Sequence, residues 1–155
     1  MTEPKEIHYL DSELMEAMCH KLACNLFNTK DDPIGKFEEH EINLLDISLK
    51  APQQTFDQKD LHPTLVDKAV ALYYALNKNH PFKNGNKRIA LTSLIVFLYI
   101  NDCWLLVSNE DLYNWTLKIA QSSAADRDSL VQATKEWIKS NLVSVEEFLA
   151  DEKAI

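Results

Sequence analysis

A histidine, a glycine-bearing turn and two adjacent cations lie together in residues 80–88, whose sequence is HPFKNGNKR. Proline cannot continue a helix and disfavours the helical conformation of the residue before it. Pro81 therefore predicts that a preceding helix ends there and that His80 is extended. The Asn-Gly-Asn sequence at 84–86 is rich in residues that tolerate positive φ, which indicates a turn. A candidate base thus lies a few residues before a tight turn.

The turn leads directly into an apolar segment, residues 89–100, after Lys87 and Arg88. A glycine-bearing turn at a helix N-terminus presents free backbone N–H groups and the positive end of the helix dipole, and these bind anions. Two cations at that end are unfavourable for the helix unless an anion such as phosphate is bound. His80 could then act as a general base on a group beside the anion. Residues 80–88 therefore predict a phosphate-handling active site.

The composition is that of one folded domain. The 155 residues are 46% hydrophobic and 26% charged, and the net charge of −8 argues against direct nucleic-acid binding. The longest strongly apolar run, residues 94–100, is too short to span a bilayer, and no secretory signal is found. Cys19, Cys24 and Cys103 lack metal-ligand spacing. We expect reduced thiols, a cytoplasmic location and no membrane partner.

Apolar periodicity predicts helices along most of the chain. The first should begin at Asp11 or Ser12 and run to about Asn28, with a buried face formed by Leu14, Met18, Leu22 and Leu26. Further helices are predicted within 34–49, from the His62-Pro63 pair to 79, and at 89–100, 108–122, 126–140 and after 144. Residues 51–60 have no apolar period and predict a loop. The expected fold is an all-α, single-domain bundle around the helix at 89–100.

The pattern H-P-F-x-x-G-N-K-R resembles the signature loop of the Fic/Doc (Fido) superfamily, and the lysine after the second asparagine is most similar to the Doc, or death-on-curing, branch. The flanking sequences ALYYALNKN and IALTSLIVFLYIND also look Doc-like. The resemblance covers roughly residues 8–138 of a single domain, 1–155, and leaves 139–155 as a C-terminal helical extension. It implies a helical Fido-like fold with a short flap near residues 50–56 that aligns a segment of the target protein.

The resemblance also implies roles for the loop. His80 matches the catalytic histidine that deprotonates a Ser, Thr or Tyr hydroxyl on a target protein, and Phe82 matches the anchor that holds the loop in the core. The implied cofactors are ATP and Mg²⁺. A surface position for His80, and a merely solvated Lys87, are the alternatives. The residues implied to bind the nucleotide phosphates are Lys83, Gly85, Asn86, Lys87 and Arg88.

Two departures from the family pattern bear on the reaction. AMP-transferring members usually continue G-N-G-R-x-x-R, whereas Lys87 and Leu91 stand at the second glycine and second arginine of that pattern. Doc-like proteins with the lysine resemble kinases that transfer the γ-phosphoryl group to a translation elongation factor. The other departure is Asn84, where the pattern favours a carboxylate that helps hold Mg²⁺; an amide oxygen is a weaker ligand. Lys83 and Lys87 would partly replace the metal's charge, or the activity would be reduced or altered.

Three functions remain open at this point. The first is a Doc-like toxin of a toxin–antitoxin pair, a nucleotide-dependent protein kinase silenced by a separate antitoxin chain. The second is a Fido adenylyltransferase that attaches AMP to a protein hydroxyl. The third is a catalytically weak binding or regulatory module, which Asn84 keeps open. An inhibitory motif within the chain is disfavoured, because Ala17 follows residues 12–16 where the family motif has glycine or asparagine.

Overall fold

The computed structural model describes residues 5–153, and its centre is helix α5, Asn86–Ile100. This helix is apolar on nearly every side, and Ile89, Leu94, Phe97 and Leu98 are almost completely buried. Helix α4, Leu65–Asn79, packs against it more extensively than any other element. The central buried helix predicted from the sequence is therefore confirmed.

The other elements surround this pair. The N-terminal helical stretch consists of α1 Ser12–Leu14, a π-helical segment Met15–His20 and α2 Lys21–Phe27. The remaining helices are α3 Ile42–Lys50, α6 Asn109–Gln121, α7 Arg127–Asn141 and α8 Val145–Lys153. Short 3₁₀ turns occupy Phe37–Glu39, Ala51–Gln53 and Ala124–Asp126. The strands of the described residues are β1 Thr55–Phe56, β2 Lys59–Asp60, β3 Cys103–Leu105 and β4 Leu142–Ser144.

The strands form two small antiparallel pairs, β1 with β2 and β3 with β4, so the fold is mostly rather than wholly helical. The β3–β4 pair ties the C-terminal segment to the body of the protein, with Cys103 opposite Ser144. No helix in the described part of the chain is both long and apolar enough to cross a membrane.

The predicted buried face of the first helix is wrong by one residue. Met15, Cys19 and Ala23 are fully buried, whereas Leu22 and Leu26 are exposed. Small side chains at this face let the π-helical segment approach α5 closely, and the Met15 sulfur accepts a hydrogen bond from the Ser93 hydroxyl at 3.6 Å. Close packing against α5 therefore determines which face of the first helix is buried, and the size of its apolar side chains does not.

Helix α4 begins at Leu65, later than the predicted start at Pro63. Thr64 is its N-cap, and the Thr64 hydroxyl accepts a hydrogen bond from the Asp67 N–H at 3.0 Å. The Asp67 carboxylate accepts one from the Thr64 N–H at 3.2 Å, which completes a capping box. This cap fixes the start of the helix that ends at the candidate site.

The segment predicted as a loop at residues 51–60 contains the β1–β2 hairpin instead. Its turn residues Asp57 and Gln58 both have positive φ, 52° and 64°, as two-residue hairpin turns require. The buried Lys68 amine lies 3.3 Å from the Pro52 carbonyl and 3.8 Å from the Asp60 carboxylate. Lys68 therefore fastens the hairpin to α4. The hairpin overlaps the flap expected near residues 50–56 only in its first strand, Thr55–Phe56.

Candidate active site

The first candidate residue, His80, caps the C-terminus of α4 in a left-handed conformation with φ 48° and ψ 58°. The extended conformation expected from Pro81 is therefore wrong. A left-handed residue ends a helix abruptly, and glycine usually takes this position. A histidine with positive φ immediately before a proline is sterically unfavourable, and such strain is concentrated at functional sites. The imidazole is exposed and lines a cavity.

The loop after His80 is held by hydrogen bonds from the start of α3 and from the Asn86 side chain. The Glu41 N–H, at the start of α3, donates a hydrogen bond to the Pro81 carbonyl at 2.8 Å. The Asn86 side chain accepts from the Phe82 N–H at 2.9 Å and donates to the Phe82 carbonyl at 2.8 Å. The Asn86 side chain is thereby held within the loop, and its backbone N–H lies at the start of α5, where it can contribute to an anion site.

Phe82 lies in the core, with 5% of its surface exposed. Its ring packs among those of His20, Phe37 and His40, with ring centroids about 6 Å apart. This is the position that an anchor for the loop requires.

Gly85 is the N-cap of α5 and has φ 83°. A Cβ added at this position would lie 2.8 Å from Cγ1 of Ile34, so both the backbone conformation and the close approach require glycine. No described side chain caps α5, which in this respect resembles α2 and α7 and differs from α1, α3, α4 and α6. The first N–H groups of the central helix are therefore available to an anion.

These features converge on one cavity of about 420 Å³. The residues predicted from the sequence that line it are His80, Asn84, Gly85, Asn86, Lys87 and Arg88. We call it the signature-loop cavity. Lys83 does not line it: its amine lies 3.6 Å from the Glu39 carboxylate. The structure therefore brings together the predicted phosphate-binding residues with the exception of Lys83.

The two cations of the cavity are engaged differently. Within residues 5–153, no hydrogen bond or ion pair engages the Lys87 amine. Arg88 donates to the backbone carbonyls of Phe27 and Asp32 at 3.1 and 2.7 Å, and lies 3.3 Å from the Asp32 carboxylate. Arg88 therefore holds the segment after α2 against the signature loop while it lines the cavity.

Four further residues of the cavity escaped the sequence analysis: Phe27, Thr29, Asp32 and Tyr113. Asp32 lies just beyond the predicted end of the first helix, at about Asn28, and belongs to no motif. Asp32 accepts a hydrogen bond from the Asn84 amide at 2.6 Å, and the same amide nitrogen donates to the Pro33 carbonyl at 2.6 Å. No pattern in the sequence links Asp32 to a loop more than fifty residues later.

Three histidines lie near the loop, and only one has a ring that is not engaged by the described residues. The His20 and His40 rings each hydrogen bond to a backbone carbonyl, that of Gly35 and that of Phe37 respectively. The His80 ring has no such contact. A free imidazole beside an uncapped helix N-terminus and a free amine can remove a proton from a group that lies next to a bound anion.

A search of protein families matches residues 5–98 of this chain with the Fic/DOC family. The chain belongs to the Fic/Doc family. A curated toxin Doc of Mycolicibacterium smegmatis is 38% identical over 85 residues, which are 52% of this chain and 65% of that relative. The chain therefore matches less than two thirds of the relative's length. No solved structure matches significantly. The resemblance to the Doc branch noted from the signature loop is confirmed.

Proposed function

We propose that this chain is a Doc-like toxin of a toxin–antitoxin pair and that it transfers the γ-phosphoryl group of ATP to a hydroxyl of a target protein. The observation that carries the proposal is the signature-loop cavity. It combines the uncapped N-terminus of α5 with the His80 imidazole and the Lys87 amine, neither of which is engaged by a described residue. The similarity to a toxin Doc supports the toxin role.

The proposed reaction requires one base and a set of anion-binding donors. The target hydroxyl oxygen bonds to the γ-phosphorus while the bond from that phosphorus to the bridging oxygen of ADP breaks. His80 accepts the hydroxyl proton, and ADP leaves with its phosphates held by the N–H groups at Gly85 and Lys87 and by the Lys87 amine. Positioning and charge neutralisation supply most of the rate enhancement in phosphoryl transfer. Mg²⁺ bound with ATP would neutralise further phosphate charge.

Transfer of the γ-phosphoryl group is favoured over transfer of AMP by the position of Leu91. Leu91 is 4% exposed and belongs to the core, at the place where AMP-transferring relatives carry a second motif arginine. The chain therefore lacks a second guanidinium on the first turns of α5. Transfer of AMP remains the alternative, because the same cavity and base serve an attack at the α-phosphorus.

The target hydroxyl would be presented by the β1–β2 hairpin, as the flap of the family suggests. Phe56 on this hairpin is 76% exposed and supplies an apolar contact for a bound segment. Within the Doc branch, the implied target is a translation elongation factor. The cognate antitoxin is the second proposed partner.

The experiment incubates the protein with cell extract and ATP that carries label at either the α or the γ phosphate. The proposal expects label on a protein band from γ-labelled ATP alone, and loss of that band with His80→Ala. Label from the α position would establish AMP transfer. No label from either form, with folded protein, would establish a binding or regulatory module. Expression without an antitoxin should arrest growth, and His80→Ala should abolish the arrest.

A further inference from the structure

The signature-loop cavity contains a carboxylate that no motif assigns. Asp32 lies on the segment between α2 and α3, and its side chain is 67% exposed. Its Oδ1 accepts the 2.6 Å hydrogen bond from the Asn84 amide. Among the residues lining the cavity, Asp32 is the one carboxylate. The family favours an acid at position 84. Here Asn84 stands at that position, and it directly contacts the acid of the cavity, Asp32.

The contacts of Asn84 explain why an amide stands at that position. Both of its described hydrogen bonds come from Nδ2, to the Asp32 carboxylate and to the Pro33 carbonyl, each at 2.6 Å. An aspartate at 84 would place a second anion against these two acceptors, and like charges at this distance repel strongly. Asp32 and Asn84 thus form a matched pair, in which the negative charge is on the segment between α2 and α3 rather than on the signature loop.

Arg88 is paired with Asp32, because its guanidinium donates a hydrogen bond to Oδ2 of the Asp32 carboxylate at 3.3 Å. The shorter hydrogen bonds of Arg88 go to backbone carbonyls, at 2.7 and 3.1 Å, whereas the Asp32 carboxylate lies 3.3 Å away. These backbone contacts hold the Asp32 main chain in place. The carboxylate remains largely exposed and accessible from the cavity.

We propose that Asp32 supplies the protein carboxylate that binds the Mg²⁺ of the bound nucleotide, in place of an acid at Asn84. Mg²⁺ prefers oxygen ligands and typically binds through one or two carboxylates, with water and substrate phosphates completing its coordination. A single exposed carboxylate beside the N-terminus of α5 meets this requirement. This inference rests on the proposed ATP-dependent function.

The test measures ATP affinity by calorimetry, with excess Mg²⁺ and with EDTA, for wild type, Asp32→Asn and Asp31→Asn. Asparagine at 32 keeps the shape and an oxygen acceptor for the Asn84 amide. Asp31 is exposed, carries the same charge and is outside the cavity, so Asp31→Asn is the matched control. We expect Mg²⁺ to strengthen ATP binding to wild type and to the control. We expect this gain to fall about tenfold or more in Asp32→Asn, the range found when metal sites lose supporting groups.

The outcomes separate this inference from the proposed function. If ATP binds and the gain from Mg²⁺ is the same in Asp32→Asn as in wild type, Asp32 is not a metal ligand, whatever the absolute affinity. If Asp32→Asn binds ATP more tightly than wild type, and by the same factor in Mg²⁺ and in EDTA, then Asp32 only repels phosphate. That result also overturns the inference. If wild type binds no ATP under either condition, the proposed function fails and the inference fails with it.

A second measurement tests the pairing of Asp32 with Asn84 without any ligand. Asn84→Asp should lower the denaturant midpoint, because its carboxylate would face the Asp32 carboxylate. Adding Asp32→Asn to Asn84→Asp should restore part of that loss, since an amide again faces an acid. Additive effects of the two substitutions would contradict the pairing.

Discussion

Two cavities among the described residues contain a histidine and several cations, and in only one of them is a cation left without a partner in that part of the chain. The signature-loop cavity contains His80, Lys87 and Arg88. The second cavity, about 590 Å³, is lined by His62, Lys78, Arg127 and Lys135, and we call it the His62 cavity. In residue types the two are similar. They differ in how far the surrounding protein already engages those residues.

In the His62 cavity each cation has a partner within the protein. The Lys78 amine donates to the Ser122 carbonyl at 2.7 Å, and the Lys135 amine lies 3.1 Å from the Asp67 carboxylate. The Arg127 guanidinium lies over the ring of Tyr74, 5.7 Å from its centroid. These contacts join α4 to α6 and α7. A cluster of basic residues is therefore structural when its charges are paired, and becomes a candidate site when a base, a cation and helix N–H groups are left without partners.

The largest expected difference between the cavities lies in the two histidines. His80→Ala should reduce phosphoryl transfer by about 10²–10⁴-fold, the contribution typical of a general base. His62→Ala should leave the rate within about twofold, because His62 lies outside the proposed reaction. Rates of transfer to the labelled target measure both. Equal losses of transfer rate in His80→Ala and His62→Ala would show that the difference between the two cavities does not identify the active site.

The two lysines give the next contrast. Lys87→Ala should weaken ATP binding by about tenfold to a hundredfold, because a charge-assisted hydrogen bond contributes roughly 1.5–3 kcal/mol. Lys78→Ala should lower the stability of the fold, since it removes a bond to the C-terminal end of α6, and should leave ATP affinity unchanged. Calorimetry and denaturant unfolding separate these effects. If Lys87→Ala binds ATP as tightly as wild type, Lys87 does not contribute to ATP binding.

The two glycines test the backbone beneath the site. Gly85→Ala should destabilise the protein by about 1–3 kcal/mol, because alanine is strained at positive φ and its Cβ would meet Ile34. Gly35→Ala is the matched control: its Cβ would make only ordinary contacts, at 3.6 Å with Lys83 and 3.7 Å with the Asn84 nitrogen. Denaturant midpoints measure both. A Gly85→Ala protein as stable as Gly35→Ala would contradict the geometry described for the loop.

The smallest expected effect is the pH dependence from His62. Burial, followed by the positive charge of Lys135, lowers the pKa of His62 below 6.5. The folded state therefore disfavours protonation, so this contribution to stability is full above pH 6.5 and is lost as the pH falls through the folded pKa. His62→Gln should flatten the dependence of unfolding free energy on pH between 7.5 and 5.5. An unchanged slope would show that His62 is not the group responsible.

The sequence predicted the parts of the site that depend on local chemistry. The end of α4 at His80, the turn at Gly85 and the uncapped N-terminus of α5 follow from residues within one short segment, although α5 begins at Asn86, three residues before the predicted start. The backbone of His80 did not follow, because the steric rule for residues before proline was overridden where the chain must turn sharply into the loop.

The parts that depend on distant contacts could not be predicted. Asp32 and Tyr113 reach the cavity from other segments, and neither stands in a pattern that links it to the loop. The β1–β2 hairpin was missed because Gln58 follows Asp57 in its turn, where glycine is the residue that usually signals such a turn. The buried face of the first helix was missed because close packing of Cys19 and Ala23 against α5 outweighed the apolar surface of Leu22 and Leu26.

The central claim is that the backbone N–H groups at the start of α5 bind the phosphates of ATP. Titration of ¹⁵N-labelled protein with ATP, followed by amide chemical shifts, tests it most directly. We expect saturable shifts that are largest for the amides of Gly85, Asn86, Lys87 and Arg88, with little change around the His62 cavity. Shifts confined to the His62 cavity, or no saturable shift at residues 85–88, would contradict it.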